Sequence, residues 1–318
     1  MNGMKPVRIG ISTCLLGENV RYDGGHKLDR FLRDTLGQYV QYVPVCPEVE
    51  CGLGVPRESM HLEGDPENPR LMTTRTGVDM TGRMTRWAIM RLKELESEEL
   101  SGFIFKSRSP SSGMERVKVF TDKGQPVNKG VGIFARLFME HFPRVPVEED
   151  GRLNDPGLRE NFIEAIFTLG RWRDLGREKK TLGKLVRFHT NHKLLLLSHS
   201  RKHYTGMGRL VAAGKSMPSA VLYENYGDLL VQALKVKATR KKNTDVLMHA
   251  MGYFKKELSS AEKQELLEHI EMYREEQVPL IVPLTLLKHY IMKYDQSYLT
   301  EQVYFHPHPL EVMLRNHV

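Results

Sequence analysis

The residues in this sequence with the clearest capacity for chemistry are its three cysteines. Cys14 follows the apolar segment Val7–Ser12, and Cys46 and Cys51 share one loop that follows a second apolar segment. Because both segments have the pattern of β-strands, all three sulfur atoms are predicted to leave strand ends at one edge of a sheet. Three thiolates could ligate zinc, hold an iron–sulfur cluster or be buried without a common role.

The spacing of the cysteines leaves these alternatives open. A structural zinc site usually has four protein ligands, often as two short Cys-x-x-Cys pairs, and this chain has no such pair. A catalytic zinc could have a mixed ligand set completed by His26 or Asp23. A [4Fe–4S] cluster held by three cysteines would leave one iron without a protein ligand, and that iron could bind a substrate atom as a Lewis acid.

The composition is that of a soluble globular protein. The chain has 318 residues, 40% of them hydrophobic and 27% charged, which suits two domains of ordinary size. No apolar run approaches the roughly 18 residues of a membrane span, and no secretory signal pattern is visible. An odd number of cysteines suits a reducing compartment. The sequence therefore predicts a cytoplasmic protein, and it indicates no particular protein partner.

Positive charge is concentrated in the second half of the chain. Residues 171–242 contain 17 Lys and Arg against 4 Asp and Glu, a net charge of +13, although the whole chain carries only +8. Such a block predicts binding to a polyanion, and the interspersed Trp172 and Tyr204 could stack on unpaired bases. The predicted RNA-binding residues are Arg171, Arg173, Lys179, Lys180, Arg187, Arg201, Lys202 and Lys241.

The periodicity predicts two domains of different class. Residues 1–150 alternate short apolar strands with amphipathic helices, which indicates an α/β domain with a mostly parallel sheet. The predicted strands are residues 7–12, 39–45, 71–75, 102–106, 117–120 and 145–148, and the predicted helices are 28–36, 81–95 and 131–141. In such sheets the ligand crevice lies outside the carboxyl ends of the strands. The loops after the first strand, after the second strand and after residues 102–106 are therefore the predicted site.

Residues 151–318 are predicted to form an all-α domain. Apolar residues recur at three- and four-residue spacing over residues 158–171, 182–197 and 226–238. Ser259 and Glu262 have the spacing of a capping box, which predicts the start of a further helix. A last helix is predicted over residues 284–294, after two prolines.

Several loops of the first half resemble the thiouracil desulfidase (TudS) family. The resemblance rests on residues 12–17, 21–24, 44–49, 56–57 and 106–113, which include Cys14-Leu-Leu-Gly17, Arg21-Tyr22-Asp23-Gly24 and Cys46-Pro47-Glu48. The helical half resembles the YbgA-type domain that is found fused to that family. The two-domain layout resembles the fused, RudS type, and the resemblance covers nearly the full chain.

The resemblance implies a cofactor and a reaction. In that family three cysteines hold a [4Fe–4S] cluster whose free iron takes sulfur from a thiolated pyrimidine, and the fused form acts on 4-thiouridine in tRNA. Cys14 and Cys46 match the family motifs. Many single-domain relatives have Ser-Pro-Ser-Cys-Gly where this chain has Ser109-Pro-Ser-Ser112-Gly, so the resemblance to the fused form suggests Cys51 as the third thiolate, with Ser112 no longer a ligand.

The expected reaction is a hydrolytic, non-redox removal of sulfur, which makes the protein a hydrolase. Glu48, two residues from Cys46, is the predicted general base, and Ser109 is predicted to donate to the pyrimidine ring or to shuttle a proton. The residues expected to bind substrate or shape its pocket are Arg21, Tyr22, Asp23, Arg57 and Ser112.

Three alternative functions follow from the same residues. The enzyme could act only on free thiolated pyrimidines such as thiouracil. The protein could instead be a non-catalytic iron–sulfur regulator that binds nucleic acid or senses redox state. Sulfur insertion into RNA is disfavoured, because the sequence has no Gly-x-x-x-x-Gly-Lys-Ser/Thr loop for nucleotide activation.

Overall fold

Short apolar segments of the first half form strands in two separate sheets. The structure, a computed structural model, describes residues 6–121 and 125–317. Its strands, numbered in chain order, are β1 (Val7–Ser12), β2 (Val40–Val45), β3 (Met60–Glu63), β4 (Arg70–Thr73), β5 (Gly102–Phe105), β6 (Val117–Phe120), β7 (Pro126–Gly130) and β8 (Val147–Glu149).

The first sheet is entirely parallel. Its strand order is β2-β1-β5-β8, and each neighbouring pair of strands is parallel. The central strands are apolar on both faces, since Ile9, Ile11 and all four residues of β5 are buried. Strands of this kind are typical of parallel sheets that are covered on both sides. The prediction of an α/β domain with a parallel sheet is therefore confirmed.

The second sheet is mixed, and the sequence did not predict it as a separate element. Its order is β4-β3-β6-β7, with a parallel β3–β6 pair between two antiparallel pairs. Two segments predicted for the parallel sheet, β4 and β6, lie here instead. The strands β3 and β7 were not predicted, because both are short and contain polar residues, which leaves little apolar signal.

The described residues of the first half include the α-helices α1 (Pro47–Glu50), α2 (Thr81–Glu96) and α3 (Ile133–His141). Helix α2 buries Met84, Ala88 and Leu92, which recur every four residues as the amphipathic pattern requires. The helix predicted over residues 28–36 is only a π-helical turn, Phe31–Thr35, followed by a 3₁₀ turn, Leu36–Gln38.

The chain divides into two compact units after Asp155. The described residues of the second unit form helices, which confirms the predicted all-α region. These are α4 (Pro156–Arg177), α5 (Leu182–Asn191), α6 (Lys193–His199), α7 (Arg201–Ala212), α8 (Ser219–Leu234), α9 (Arg240–Met251), α10 (Ser260–Arg274), α11 (Ile281–Lys293), α12 (Ser297–Thr300) and α13 (Glu311–Leu314).

The bounds of the predicted helices of this unit differ from those in the structure, most informatively in two cases. The segment predicted as one helix over 182–197 is broken at His192, whose backbone leaves the helical region (φ −97°, ψ 4°) and whose Nδ1 bonds the Phe188 carbonyl at 2.8 Å. Helix α8 begins directly after Pro218, seven residues earlier than predicted. The predicted capping box is confirmed, because Ser259 and Glu262 exchange side-chain to backbone hydrogen bonds.

Across the described parts of the chain, every helix is too short or too polar to cross a bilayer.

Candidate functional site

The register of the parallel sheet brings Cys14 and Cys46 together. Ser12, the last residue of β1, lies opposite Val45, the last residue of β2. Cys14 and Cys46 therefore follow neighbouring strand ends at the same level. The other two strands end at the same edge, where the residues after them, Lys106 and Asp150, are joined by an ion pair of 2.9 Å between Nζ and Oδ2.

A cavity of about 410 Å³ opens at this edge of the sheet. The loops that follow β1, β2 and β5 all contribute to its wall, as the position of ligand crevices in α/β sheets predicts. Eight of the ten predicted site residues of this half border it: Cys14, Arg21, Tyr22, Cys46, Glu48, Arg57, Ser109 and Ser112. The other two, Asp23 and Cys51, do not.

Both cavity thiols are shielded from water. Burial raises the pKa of Cys14 to about 11, although the nearby Lys106 ammonium opposes this shift. Burial also raises the pKa of Cys46. The two side chains are close enough for a charge on Cys46 to disfavour a charge on Cys14. At neutral pH these groups are therefore thiols, and a metal that binds them must displace protons.

Glu48 is held by hydrogen bonds from two directions. Its Oε2 is paired with the Arg57 guanidinium, and its Oε1 accepts a hydrogen bond of 2.7 Å from Ser111 Oγ. Arg57 is itself fixed, because its Nη1 donates to the carbonyls of Val20 (3.0 Å) and Gly54 (3.2 Å). The carboxylate thus borders the cavity in one defined orientation.

The serine loop, residues 109–112, forms another part of the cavity wall. Ser109 Oγ lies 3.0 Å from Ser111 Oγ and accepts hydrogen bonds from the backbone N–H groups of Ser111 (3.4 Å) and Ser112 (3.2 Å). Because the Ser111 proton is donated to Glu48, the Ser109 hydroxyl must donate to Ser111. The Ser109 hydroxyl proton is therefore already committed to Ser111.

Cys51 lies outside the cavity, unlike the other two cysteines. It follows the single helical turn of α1, and its Sγ contacts the Glu48 carbonyl at 3.3 Å. It packs in an apolar cluster with residues of β3, β4, β6, α2 and α3, among them Leu62, Leu71 and Met84. The structure therefore does not bring the three predicted thiolates together.

The rim residues Arg21, Tyr22 and Asp23 have separate roles. Tyr22 is 44% exposed, with the Arg21 guanidinium 5.3 Å from its ring centre. Asp23 accepts a hydrogen bond of 3.1 Å from the Gly25 N–H, which closes the turn at Gly24 (φ +75°). Asp23 thus shapes the loop, whereas Arg21 and Tyr22 border the cavity.

Sequence reasoning gave no role to several polar groups at this site, among them Lys27, Ser111 and the Lys106–Asp150 pair. Lys106 Nζ also lies 2.9 Å from Ser107 Oγ, and Asp150 Oδ1 accepts from the Ser107 N–H at 2.6 Å. Lys106 and Asp150 directly follow buried strands, which is the same signal that identified Cys46. Nothing in the sequence singles out Ser111 among the serines of its loop.

Comparison with known proteins agrees with the division into two units. A family model described as 2-thiouracil desulfurase matches residues 9–150, and one described as a protein of unknown function (DUF1722) matches residues 193–309. The uncharacterized protein YbgA of Escherichia coli (strain K12) is 35% identical over 152 residues, which is 48% of this chain and 90% of that protein.

The chain belongs to the 2-thiouracil desulfurase family in its first half and to the DUF1722 (YbgA-like) family in its second. A solved structure described as a [4Fe-4S]-dependent thiouracil desulfidase, TudS, is 28% identical. It covers 48% of this chain and 97% of its own, with a TM-score of 0.40.

The cysteines of the desulfurase domain match a three-thiolate cluster site only in part. Cys14 and Cys46 border one cavity, but Cys51 does not, so the predicted ligand set does not surround a single space. Within the described residues, no three His, Cys, Asp or Glu side chains converge on a point where they could hold one metal ion. Cluster ligands do not have to converge in this way, because each thiolate binds a different iron atom.

In the DUF1722 half and the helices before it, most of the predicted RNA-binding residues are exposed. These are Lys179, Lys180, Arg187, Arg201, Lys202 and Lys241, whereas Arg173 is half-buried. Arg171 is a correction to the prediction. Its guanidinium donates to His192 Nε2 (3.2 Å), the Pro307 carbonyl (2.8 Å) and Thr168 Oγ1 (3.0 Å), so it is already occupied within the protein.

The two aromatic residues predicted to stack on bases stack on their own protein instead. The Trp172 ring lies 5.1 Å from Tyr226 and 5.5 Å from Tyr223, nearly parallel to both. Tyr204 stacks on His189 at 4.8 Å. Their ring faces therefore contribute to the packing of the helical core.

Proposed function

We propose that the first unit removes sulfur from thiolated pyrimidines and releases it as sulfide. The observation that carries this proposal is that Cys14, Cys46 and Glu48 border one cavity in a domain of the 2-thiouracil desulfurase family. Thiols are soft ligands that can bind the iron of a cluster, and the oriented carboxylate beside them can accept a proton from water. Neither group alone would suggest this chemistry.

The size and polarity of the cavity support a single base as the bound group. Its volume of about 410 Å³ lies at the lower end of the range of about 300–1,000 Å³ for small-molecule sites. Arg21, Lys27 and Lys106 border it. Their cationic groups favour electron-rich acceptors such as the oxygen and sulfur atoms of a thiolated pyrimidine.

The proposed cofactor is a [4Fe–4S] cluster held through Cys14 and Cys46. The resemblance of the cysteine loops to the TudS family supports it, and the two cavity thiols provide ligands of the right type. When bound, such a cluster supplies an iron atom that can accept the substrate sulfur as a Lewis acid.

The residues of the chain supply the proton chemistry of the proposed hydrolysis. A water molecule replaces the thiocarbonyl sulfur by oxygen, and its two hydrogens leave with the sulfur as hydrogen sulfide, so no oxidant or reductant is consumed. Glu48 takes a proton from the attacking water and returns it to the departing sulfur. Arg57 and Ser111 keep the carboxylate directed at the cavity, and Ser109 is joined to it through Ser111.

A sulfide assay on the anaerobic, iron-loaded protein tests this proposal. With 2-thiouracil or 4-thiouridine in tRNA as substrate, one sulfide per oxygenated product is expected. Glu48→Gln should lower turnover at least about 100-fold, in the range attributed to general base catalysis, and leave the iron content unchanged. Glu67→Gln, at an exposed loop position, is the matched control. The proposal fails if the iron-loaded protein releases no sulfide from any thiolated pyrimidine.

We further propose that the second unit binds tRNA that carries 4-thiouridine. The exposed cations Lys179, Lys180 and Arg187 support this, because clustered lysine and arginine neutralise phosphates and release counterions. The net charge of +13 over residues 171–242 supports it as well, because concentrated positive charge attracts polyanions. Phosphate contacts of this kind give affinity without base specificity.

Reversing the charge of exposed residues in the second unit distinguishes an enzyme that acts on tRNA from one that acts only on free bases. The triple variant Lys179→Glu, Lys180→Glu and Arg187→Glu should weaken tRNA binding and flatten its dependence on salt, while turnover of 2-thiouracil stays unchanged. Reversal of the exposed Lys255, Lys256 and Lys263 is the matched control. If neither variant changes turnover of 4-thiouridine in tRNA, or if tRNA is no substrate, only the activity on free thiolated pyrimidines remains.

A further inference from the structure

The turn that carries Cys51 is fixed by two sets of hydrogen bonds. Within the turn, the backbone N–H groups of Cys51, Gly52 and Leu53 bond the carbonyls of Pro47 (3.1 Å), Val49 (2.9 Å) and Glu48 (3.1 Å) respectively. The thiol itself contacts the Glu48 carbonyl. The backbone N–H and the thiol of Cys51 therefore both have hydrogen-bond partners within the turn.

Arg83 of helix α2 fixes the same turn from outside. Its Nε donates to the Cys51 carbonyl at 2.8 Å and its Nη2 to the Gly52 carbonyl at 2.7 Å. Gly52 has a positive φ of +88°, and Arg83 Nη2 lies only 2.5 Å from where a Cβ would be. Moving Cys51 to the cavity would break both charge-assisted bonds and remove the side chain from an apolar cluster.

Ser112, unlike Cys51, lies at the cavity. It borders the cavity together with Cys14 and Cys46, and it is only 4% exposed. The hydroxyls of Ser109 and Ser111 are committed to each other and to Glu48. Among the described residues, none forms a hydrogen bond with the Ser112 hydroxyl, which leaves it free for a bound group.

The backbone of Ser112 is nevertheless well fixed. Its N–H donates to Ser109 Oγ at 3.2 Å, and a Cβ on Gly132, at the start of α3, would lie 2.7 Å from the Ser112 nitrogen. The residue is therefore held in place beside the cavity, and its hydroxyl has no hydrogen-bond partner among the described residues. The position suits a donor to a group that Cys14 and Cys46 also bind.

We propose that Ser112, and not Cys51, is the third protein donor to the iron–sulfur cofactor held by Cys14 and Cys46. This inference rests on the proposed function for the identity of the cofactor. The chain then presents two thiolates and one oxygen donor to the cavity. Oxygen is a harder ligand than thiolate, so the cluster is held less tightly than three thiolates would hold it.

Iron content and spectra of single variants test the assignment directly. Protein reconstituted anaerobically with iron and sulfide should hold about four iron atoms per chain. Cys51→Ala and Cys51→Val should hold as much iron as the unsubstituted protein, with the same absorption and, after reduction, the same electron paramagnetic resonance spectrum. Cys14→Ala and Cys46→Ala should lose the cluster.

Two Ser112 variants provide the complementary comparison. Ser112→Ala should hold iron about 10–100-fold less tightly against a chelator, as expected for loss of a donor at a metal site. Ser112→Cys should hold iron more tightly than the unsubstituted protein and should change the resonance spectrum. Ser97→Ala, at the exposed end of α2, is the matched control and should change neither property.

The opposite results overturn the assignment. If Cys51→Ala and Cys51→Val remain folded by circular dichroism and lose the cluster, Cys51 is the ligand. If both Cys51 variants fail to fold, Ser112→Ala decides, since unchanged iron retention and an unchanged spectrum would exclude Ser112. A protein that binds no iron overturns both this assignment and the proposed cofactor. A cluster-bearing protein that releases no sulfide overturns only the proposed function.

Discussion

Glu48 depends on its neighbours for its orientation. Its side chain borders the cavity between the Arg57 guanidinium and the Ser111 hydroxyl. A carboxylate on a loop would otherwise sample several rotamers, and a base that is displaced by about 1 Å can lose much of its effect. In the proposed reaction, Ser111 is therefore a positioning residue that acts through Glu48.

Removal of the Ser111 hydroxyl should reduce turnover without unfolding the site. Ser111→Ala deletes one hydrogen bond to a charged group, worth about 1.5 kcal/mol, which corresponds to about a tenfold loss in rate. We expect kcat for 2-thiouracil to fall by this factor while KM and iron content stay unchanged, because the Ser111 hydroxyl proton is already donated to Glu48. Steady-state sulfide release measures both constants. An unchanged kcat, or a rise in KM alone, would contradict the positioning role.

The start of helix α3 fixes the position of the serine loop. Phe134 and Ala135 donate their N–H groups to the Ser111 carbonyl at 2.9 and 3.2 Å. A Cβ on Gly132 would lie 2.6 Å from the Ser111 carbonyl carbon and oxygen. These neighbours are backbone atoms, which cannot rotate out of the way as a side chain can.

Alanine at position 132 should therefore displace the serine loop. Gly132→Ala is expected to lower kcat for 2-thiouracil more than about tenfold and to reduce the melting temperature, because overpacking typically costs about 1–3 kcal/mol. Gly176→Ala is the matched control: Gly176 is helical, with nothing within 4 Å of the added methyl, and alanine is the better helix former by about 1 kcal/mol. Equal effects of the two substitutions would contradict this account.

The capping box of α10 makes the stability of that helix depend on pH. Glu262 accepts hydrogen bonds from Lys293 Nζ (2.6 Å), Ser259 N (2.8 Å) and Tyr294 OH (2.9 Å). The bond from Lys293, followed by those from Ser259, lowers the pKa of Glu262 from 4.5 to about 2. The folded state thus favours the carboxylate over the acid, so the stabilisation is complete above pH 4.5 and is lost as the pH falls through about 2.

Replacement of Glu262 tests this pH dependence. The free energy of unfolding of Glu262→Gln should lie below that of the unsubstituted protein at pH 7, and the difference should shrink steadily between pH 4.5 and pH 2. Urea unfolding followed by circular dichroism at several pH values measures it. Glu301→Gln, at an exposed position, is expected to change the free energy little. A difference for Glu262→Gln that stays constant over this range would rule out the carboxylate as its source.

At the scale of the second unit, a buried ion network joins the C-terminal segment to helix α4. Arg315 is 1% exposed and donates to Glu160 (3.0 Å), Glu164 (2.6 Å) and the Tyr304 carbonyl (2.7 Å). Glu164 also pairs with His199 at 3.1 Å. Burial alone would raise the pKa of Glu164, but His199 and Arg315 hold it below its usual range.

Breaking this network should destabilise the helical unit strongly. Glu164→Gln removes one charge, leaves the buried Arg315 cation with less compensation and weakens the hydrogen bond to His199, and breaking a buried pair in this way typically costs about 3–5 kcal/mol. We expect the free energy of unfolding at pH 7 to fall by this amount, as measured by urea denaturation. Glu268→Gln on the exposed face of α10 should change it by less than about 0.5 kcal/mol. A loss below about 1 kcal/mol for Glu164→Gln would contradict the network.

The sequence by itself determined the position of Cys14 and Cys46. Both follow buried apolar strands, and strand pairing in a parallel sheet aligns the strand ends through the main chain alone. The same reasoning placed Ser109 and Ser112 on the third loop of the edge. The helices of the second unit could also be predicted from local sequence, because apolar periodicity and the Ser259–Glu262 capping box are visible in short segments.

Only the tertiary structure decided where individual side chains lie beyond the strand ends. Cys51 is five residues from Cys46, yet one helical turn and the Arg83 contacts fix it in an apolar cluster outside the cavity. Arg171 and Trp172 are residue types that are common on RNA-binding surfaces, but here their side chains pack against residues of their own unit. The physical reason is common to all three: a side chain's partners are set by contacts between residues far apart in sequence, which no local pattern contains.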